Sequence, residues 1–190
     1  MKPRLYLSLI FFLLTYTHNA LAVPSVVVSI KPIHSIVSSL MQGVGEPQLL
    51  LATNNSAHSF HIRPSQVQAL KNANLIVSIN SKFEVGLANI LSNYSNSSRF
   101  VISELNLPNF YTLRENTRQG KDDEYDYHLW LDINNARSIA KQLSYRLIKI
   151  DTINASIYSR NFEKLDAKLL RLHKDNRKQL AGLDATNFAN

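Results

Sequence analysis

Residues 25–30 read SVVVSI, a run in which three valines follow one another without interruption. Successive side chains of a β-strand point to opposite faces of its sheet, so an unbroken apolar run indicates a strand buried on both faces. Sheets buried on both faces are typically parallel and covered by helices. This stretch therefore predicts an α/β fold.

Strands of this kind are predicted at three further places along the chain, with helices between them. Further short apolar runs occur at residues 47–52, 74–79 and 99–103. Segments with helical spacing of apolar residues lie between them, at residues 33–41, 64–73 and 84–91. Strands that alternate with helices in this way predict βαβ units and a four-stranded, mostly parallel sheet flanked by helices.

Two longer helices are predicted in the second half of the chain. Residues 108–127 are polar and predict a long exposed loop, after which HLWL at residues 128–131 predicts an apolar cluster that anchors the backbone. Asp132 is the predicted N-cap of a helix over residues 133–150. The last helix, residues 154–180, would be about 40 Å long, which suits a helix that reaches beyond one small lobe.

The first 22 residues have the composition of a secretory signal. A cationic start with Lys2 and Arg4 precedes the apolar run 5–14, and small residues stand at Ala20 and Ala22. This pattern predicts cleavage after Ala22. A membrane anchor is the alternative, but the apolar run is about half of the roughly 20 residues needed to span a bilayer. We therefore expect export.

Charge and cysteine content restrict the chemistry. The 190 residues carry 21 Lys and Arg against 14 Asp and Glu, and the basic cluster at residues 164–178 is interleaved with acids. That pattern is typical of a solvated helix face, so nucleic acid is not an expected partner. The chain has no cysteine, so a transition-metal site must use histidine and carboxylate.

Three candidate ligands fall after successive predicted strands: His58 after the second, Glu84 after the third and His128 after the fourth. Ligands of parallel α/β sheets bind at the carboxyl ends of the strands. Imidazole pairs with a carboxylate suit Zn²⁺, Mn²⁺ or Fe²⁺. Spacing alone leaves open whether these histidines are ligands or surface residues.

Several motifs carry a resemblance to a known family. SAHSFHIRPSQ at residues 56–66 places a histidine before Arg-Pro-Ser, a helix then leads into NANLIV at residues 72–77, and HLWL follows. From residue 25 to about 178 the chain resembles the first lobe of the zinc-uptake periplasmic binding proteins of ABC transporters. The resemblance implies a signal at residues 1–22, a metal-binding lobe at 23–153, a backbone helix at 154–182 and a tail at 183–190.

The resemblance also implies a metal site. It makes His58 the first ligand and His128 the second, and it places Glu84 at the acidic position near the metal. His61 occupies a non-ligand position and is expected to face solvent, with a role as substitute ligand as the alternative. Zn²⁺ is the expected transported ion and Mn²⁺ the alternative. His58, His128 and Glu84 give at most three ligands, so a tetrahedral site would also need a water, His61 or a second molecule.

The implied function is capture of the metal in the periplasm by a monomeric binding protein that is not an enzyme. Its partner would be an ABC-type permease in the inner membrane. The family's second lobe would follow Asn190, so a truncated, weakly binding or non-functional remnant is the first alternative. A metal-dependent hydrolase is the second, but the sequence offers no convincing general base, glycine-rich phosphate loop or GxSxG motif.

Overall fold

Four short parallel strands form the centre of the fold, and they occur in the spatial order β2-β1-β3-β4. The strands are β1 (Val26–Val28), β2 (Gln48–Leu49), β3 (Leu75–Ser78) and β4 (Arg99–Val101). The computed structural model describes residues 23–51, 62–112 and 125–181. The predicted four-stranded sheet is confirmed, and every pairing in it is parallel.

Within the described residues, five helices accompany the strands: α1 (Lys31–Met41), α2 (Pro64–Lys71), α3 (Val85–Leu91), α4 (Ile133–Ile150) and α5 (Ala155–Leu180). Helix α1 begins earlier than predicted, because Pro32 lies in its first turn, where the missing N–H of proline costs nothing. Gly43 follows the helix with a φ of 82°, a left-handed conformation that glycine adopts without strain. Short 3₁₀ turns occur at Ile102–Glu104, Leu129–Leu131 and Thr152–Asn154.

The core lies on both faces of the two central strands. All residues of β1 and β3 are buried, as the unbroken valine run at the start of the chain predicts. Helix α4 contributes Ile139, Leu143 and Leu147, each with no exposed surface. Burying a large aliphatic side chain stabilises a fold by about 1.5–3 kcal/mol relative to leaving it in water. These three buried side chains therefore hold α4 firmly against the core.

Among the described residues, the contacts that anchor helix α5 to the lobe come from its first half. The fully buried Tyr158 donates its hydroxyl to Asp151 Oδ2 at 2.8 Å. Further along, Asp166 accepts two hydrogen bonds from the guanidinium of Arg137, at 2.7 and 3.0 Å. From Arg171 onward nearly all side chains are exposed. Its 26 residues make α5 about 39 Å long at 1.5 Å per residue, so it extends well past the lobe.

Asn161 fastens α5 to the end of α1. Its buried side-chain amide donates to Leu40 O at 2.9 Å and to Gln42 O at 2.8 Å, carbonyls that a helix end otherwise leaves without donors. We expect Asn161→Ala to lower the free energy of unfolding by about 1–3 kcal/mol, measured by urea denaturation. Exposed Asn176 on the same helix is the control, since its replacement should change stability by less than about 0.5 kcal/mol. Equal effects would contradict this account.

Several predicted features lie outside the described residues. These are the signal at residues 1–22, His58 and His61 in residues 52–61, the acidic part of the long loop at residues 113–124, and residues 182–190. In the part of the chain that the structure does describe, no helix combines the length and apolar character needed to cross a membrane.

Candidate metal-binding site

The carboxyl edge of the sheet is where a ligand site is expected. The strand order changes direction between β1 and β3, and in open parallel sheets the binding crevice lies outside the carboxyl ends at such a point. Because all four strands are parallel, the loops that follow them leave from this one edge.

The loop after β3 is held by a dense set of hydrogen bonds. The side-chain oxygen of Asn80 accepts from the N–H of Lys82 at 2.7 Å, and its amide donates to Ser103 Oγ at 2.7 Å. The second bond ties the end of β3 to the turn after β4. Glu84 N–H closes the loop on Asn80 O at 2.9 Å. Phe83 is thereby held in a defined position at the carboxyl edge.

Glu84 is buried and turned back into this loop. Only 1% of its surface is exposed, and Oε2 accepts from the N–H of Ile79 at 2.7 Å and of Asn80 at 3.4 Å. Burial raises the pKa of the carboxyl from 4.5 to about 7, although the Ser29 hydroxyl and the two N–H groups act in the opposite direction. Its other oxygen, Oε1, has no hydrogen bond of good geometry among the described residues. Glu84 therefore stabilises the loop from inside.

His128 lies where the chain enters the 3₁₀ turn, with 46% of its side chain exposed. Its Nδ1 is 2.6 Å from Asp126 Oδ1, and its backbone N–H donates to the same oxygen at 2.9 Å. Partial desolvation would raise the pKa of Asp126, but the hydrogen bonds from the backbone and ring of His128 outweigh it and hold that pKa below its usual value. Asp126 is therefore ionised at neutral pH.

Two aromatic rings pack against the imidazole. The Phe83 ring meets the His128 ring edge to face, with centroids 5.2 Å apart, and the Trp130 ring lies 5.3 Å away. The predicted apolar cluster around the histidine is correct only in part. Leu129 is 3% exposed, whereas Leu131 is 72% exposed, so Leu129 and Trp130 provide the anchor without Leu131. The loop after β3 and the 3₁₀ turn thus meet at His128.

The segment before His128 is fixed to the chain on the other side of residues 113–124. Thr112 and Tyr125 form an antiparallel bridge, and Asp126 N–H donates to Tyr111 O at 2.8 Å. The Tyr111 hydroxyl in turn donates to Asp132 Oδ2 at 2.8 Å. Two parts of the predicted exposed loop are therefore joined by this bridge and its neighbouring hydrogen bond, which hold Asp126 in place.

Asp132 is the N-cap of α4, as the sequence predicts, because its Oδ1 accepts from the N–H of Asn135 at 3.0 Å. Desolvation of this carboxyl is outweighed by its several hydrogen bonds, which hold the pKa of Asp132 below its usual value. The cap fixes the start of α4 directly behind the 3₁₀ turn that carries His128.

Of the four candidate ligands, the described residues include His128 and Glu84. His128 contacts Phe83, the neighbour of Glu84, whereas His58 and His61 lie outside the described residues. Residues 23–51, 62–112 and 125–181 contain no group of three or more His, Cys, Asp or Glu side chains arranged to hold a metal. His34 bonds to Pro47 O at 2.8 Å, just before β2 and thus at the opposite edge of the sheet.

Comparison with known proteins identifies the family. The sequence pattern of the ZnuA family, described as zinc-uptake complex component A, periplasmic, matches residues 26–189. The chain belongs to the ZnuA family. Proteins of this family are substrate-binding components of ABC transporters for metal ions and are not enzymes.

Relatives within and around the ZnuA family span more sequence than this chain. The high-affinity zinc uptake system protein ZnuA of Brucella abortus is 28% identical over 183 aligned positions, which cover 75% of this chain and 55% of that protein. The chain spans about half the length of the curated relatives that it matches.

Solved structures share the fold. The periplasmic zinc-binding protein TroA from Treponema pallidum is 21% identical with a TM-score of 0.72, covering 86% of this chain and 57% of TroA. A manganese-bound periplasmic metal-binding protein from Candidatus Liberibacter asiaticus is 20% identical with a TM-score of 0.65, covering 76% of this chain and 52% of that protein. These likenesses confirm one lobe of a metal-receptor fold.

Proposed function

We propose that this chain captures Zn²⁺ in the periplasm and delivers it to an ABC-type permease in the inner membrane. The observation that carries the proposal is the placement of His128. In a ZnuA-family chain, an imidazole at the carboxyl edge of the sheet is held by a carboxylate on one ring nitrogen and packed against two aromatic rings. Carboxylate-bound imidazoles of this kind are typical zinc ligands.

His58 is the proposed second ligand. The segment that contains it begins directly after Leu51, at the carboxyl end of β2 and thus at the same edge of the sheet as His128. Helix α2 is fastened nearby, because Gln66 donates its side-chain amide to Leu50 O. His61 is kept as a substitute ligand. For Glu84 the inward hydrogen bonds favour a supporting role over direct coordination.

Zinc is favoured over manganese by the donor set. Imidazole nitrogens suit Zn²⁺, whereas Mn²⁺ is better served by oxygen ligands. The Brucella relative is named for zinc and TroA is a zinc-binding protein, but a manganese-bound protein has the same fold, so Mn²⁺ remains the alternative cargo. Export by a signal at residues 1–22 is part of the same proposal and agrees with the periplasmic location in the family description.

The test is a calorimetric titration of the purified, metal-free chain with Zn²⁺ and, separately, with Mn²⁺. We expect one equivalent of zinc to bind, and more tightly than manganese. X-ray absorption of the zinc-loaded chain should show nitrogen and oxygen neighbours at about 2.0–2.2 Å, including imidazole. Failure to bind zinc stoichiometrically, or a zinc shell without imidazole, would contradict the proposal and favour the alternative of a non-functional remnant.

A further inference from the structure

We infer that Asp126 is a positioning residue that keeps the proton of the His128 imidazole on Nδ1 and thereby makes Nε2 the nitrogen that coordinates the transported cation. The role in coordination rests on the proposed function. The place of the proton is a property of the metal-free chain and can be measured without any metal.

The chemistry of the contact fixes the direction of the hydrogen bond. Asp126 Oδ1 lies 2.6 Å from Nδ1 of His128. An ionised carboxylate can only accept hydrogen bonds, so the proton in this contact belongs to the imidazole. A neutral imidazole carries a single N–H, so a proton on Nδ1 leaves the lone pair on Nε2. Because metals bind the nitrogen that carries the lone pair, Asp126 selects the coordinating atom.

The carboxylate is itself held in place on the other side. Asp126 N–H donates to Tyr111 O at 2.8 Å, and the adjoining bridge between Thr112 and Tyr125 pairs the two segments. Asp126 Oδ1 also accepts the backbone N–H of His128 at 2.9 Å. The same oxygen therefore binds both the backbone and the ring of the histidine, which fixes the ring relative to its own main chain.

The neighbouring aromatic rings oppose a flip of the imidazole. A flip that exchanged the two nitrogens would break the contact of His128 with Asp126 and disturb its packing on Phe83 and Trp130. The Phe83 and Trp130 rings also contact each other, with centroids 5.9 Å apart. The orientation of the ligand is thus defined before a metal arrives.

The negative charge of Asp126 has a second effect. A carboxylate hydrogen-bonded to one nitrogen of an imidazole makes the other nitrogen a stronger donor to a metal, and loss of such a partner typically weakens metal binding by about 10- to 100-fold. Asparagine at this position can still accept the hydrogen bonds but lacks the charge. Alanine removes both the acceptor and the charge.

The first arm of the test is nuclear magnetic resonance of the metal-free chain. Long-range ¹H–¹⁵N correlation spectra report which imidazole nitrogen is protonated, and the His128 signals are assigned by their absence from a His128→Ala sample. We expect His128 to be protonated on Nδ1 at slightly alkaline pH. We expect Asp126→Asn to keep this tautomer and Asp126→Ala to shift His128 towards protonation on Nε2.

The second arm measures zinc affinity by competition with a chelator of known affinity. Asp126→Ala should weaken binding by about 10- to 100-fold, and Asp126→Asn should weaken it less. Asp175→Ala removes an exposed carboxylate on α5 and is the control for a general loss of negative charge. This control should bind zinc like the unmodified chain.

The outcomes separate the two proposals. If His128 is protonated on Nε2 in the unmodified chain, or if Asp126→Ala changes neither tautomer nor zinc affinity, the role of Asp126 is overturned while zinc capture stands. If the unmodified chain binds no zinc, the proposed function and the coordinating role of Nε2 both fail. The tautomer measurement then still decides whether Asp126 sets the proton.

Discussion

Replacing His128 with alanine is expected to weaken zinc binding by more than about 100-fold. Removing a carboxylate that only supports a ligand already costs up to about 100-fold, and His128→Ala removes the proposed ligand itself together with its tie to Asp126. The measurement is competition between the chain and a chelator. Trp130 supplies a second signal, because the chain's one tryptophan lies 5.3 Å from the imidazole. Zinc should change its fluorescence in the unmodified chain.

Matched histidine variants make this prediction specific. His173→Ala removes a histidine from α5 and should leave zinc affinity unchanged. His58→Ala should weaken zinc binding as strongly as His128→Ala, and His61→Ala should not. Equal affinities for His128→Ala and His173→Ala would remove His128 from the site. A loss with His61→Ala as large as with His58→Ala would make His61 a ligand.

The α/β lobe could be predicted because its strongest sequence signals are local. The run SVVVSI has no polar face, so it fits only a strand covered on both sides, and β1 lies there. Asp132 before an amphipathic segment predicts a helix start, and its carboxylate caps α4. Asp132 makes its capping contact within a few positions of the chain, and the valines of β1 can be covered by any apolar partner. Neither signal depends on one particular distant residue.

The candidate site could be predicted only in outline, because its contacts depend on side-chain direction. The sequence places Glu84 at the correct edge of the sheet, but the N–H groups of Ile79 and Asn80 need acceptors and draw its carboxylate inward. Phe83 gives no sequence signal, since its contact with His128 joins segments far apart in the chain.

Asp126 is a different case, because the sequence does carry a signal for its role, but the same residue also fits the predicted exposed loop. An aspartate two residues before a histidine can reach both the backbone N–H and the ring of that histidine through a local turn. In the structure Asp126 makes both contacts with His128. The acid-rich neighbours at residues 122–124 favour the interpretation of this segment as a solvated loop.

As the pH rises from about 4.5 to about 7, the free energy of unfolding of the metal-free chain is expected to fall by about 3 kcal/mol relative to that of its Glu84→Gln variant. Burial raises the pKa of Glu84 from 4.5 to about 7 in the folded chain. Below pH 4.5 the carboxyl is protonated in both the folded and the unfolded states. Between the two values the unfolded chain releases its proton while the folded chain keeps it, so a rising pH favours unfolding. Above pH 7 both states are ionised and the dependence ends.

The magnitude follows from linkage. Each pH unit between the two pKa values changes the free energy of unfolding by about 1.4 kcal/mol, which gives the value of about 3 kcal/mol over this window. The carboxyl is almost fully buried, so solvent screening does not reduce the effect greatly. Asp126 and Asp132 have lowered pKa values and contribute with the opposite sign, losing their stabilisation as the pH falls. Their contribution is the same in both proteins and cancels in the comparison.

Urea denaturation of the unmodified chain and of Glu84→Gln at several pH values tests this prediction, with a chelator present to exclude metal. Glutamine keeps an oxygen that can accept from Ile79 and Asn80, so the variant isolates the charge from the hydrogen bonds. Parallel stability curves would show that the pKa of Glu84 is not raised in the folded chain. A ¹³C titration of this carboxyl with and without zinc then tests direct coordination. A metal displaces the proton of its ligand, so zinc should lower this pKa strongly only if Glu84 binds the ion itself.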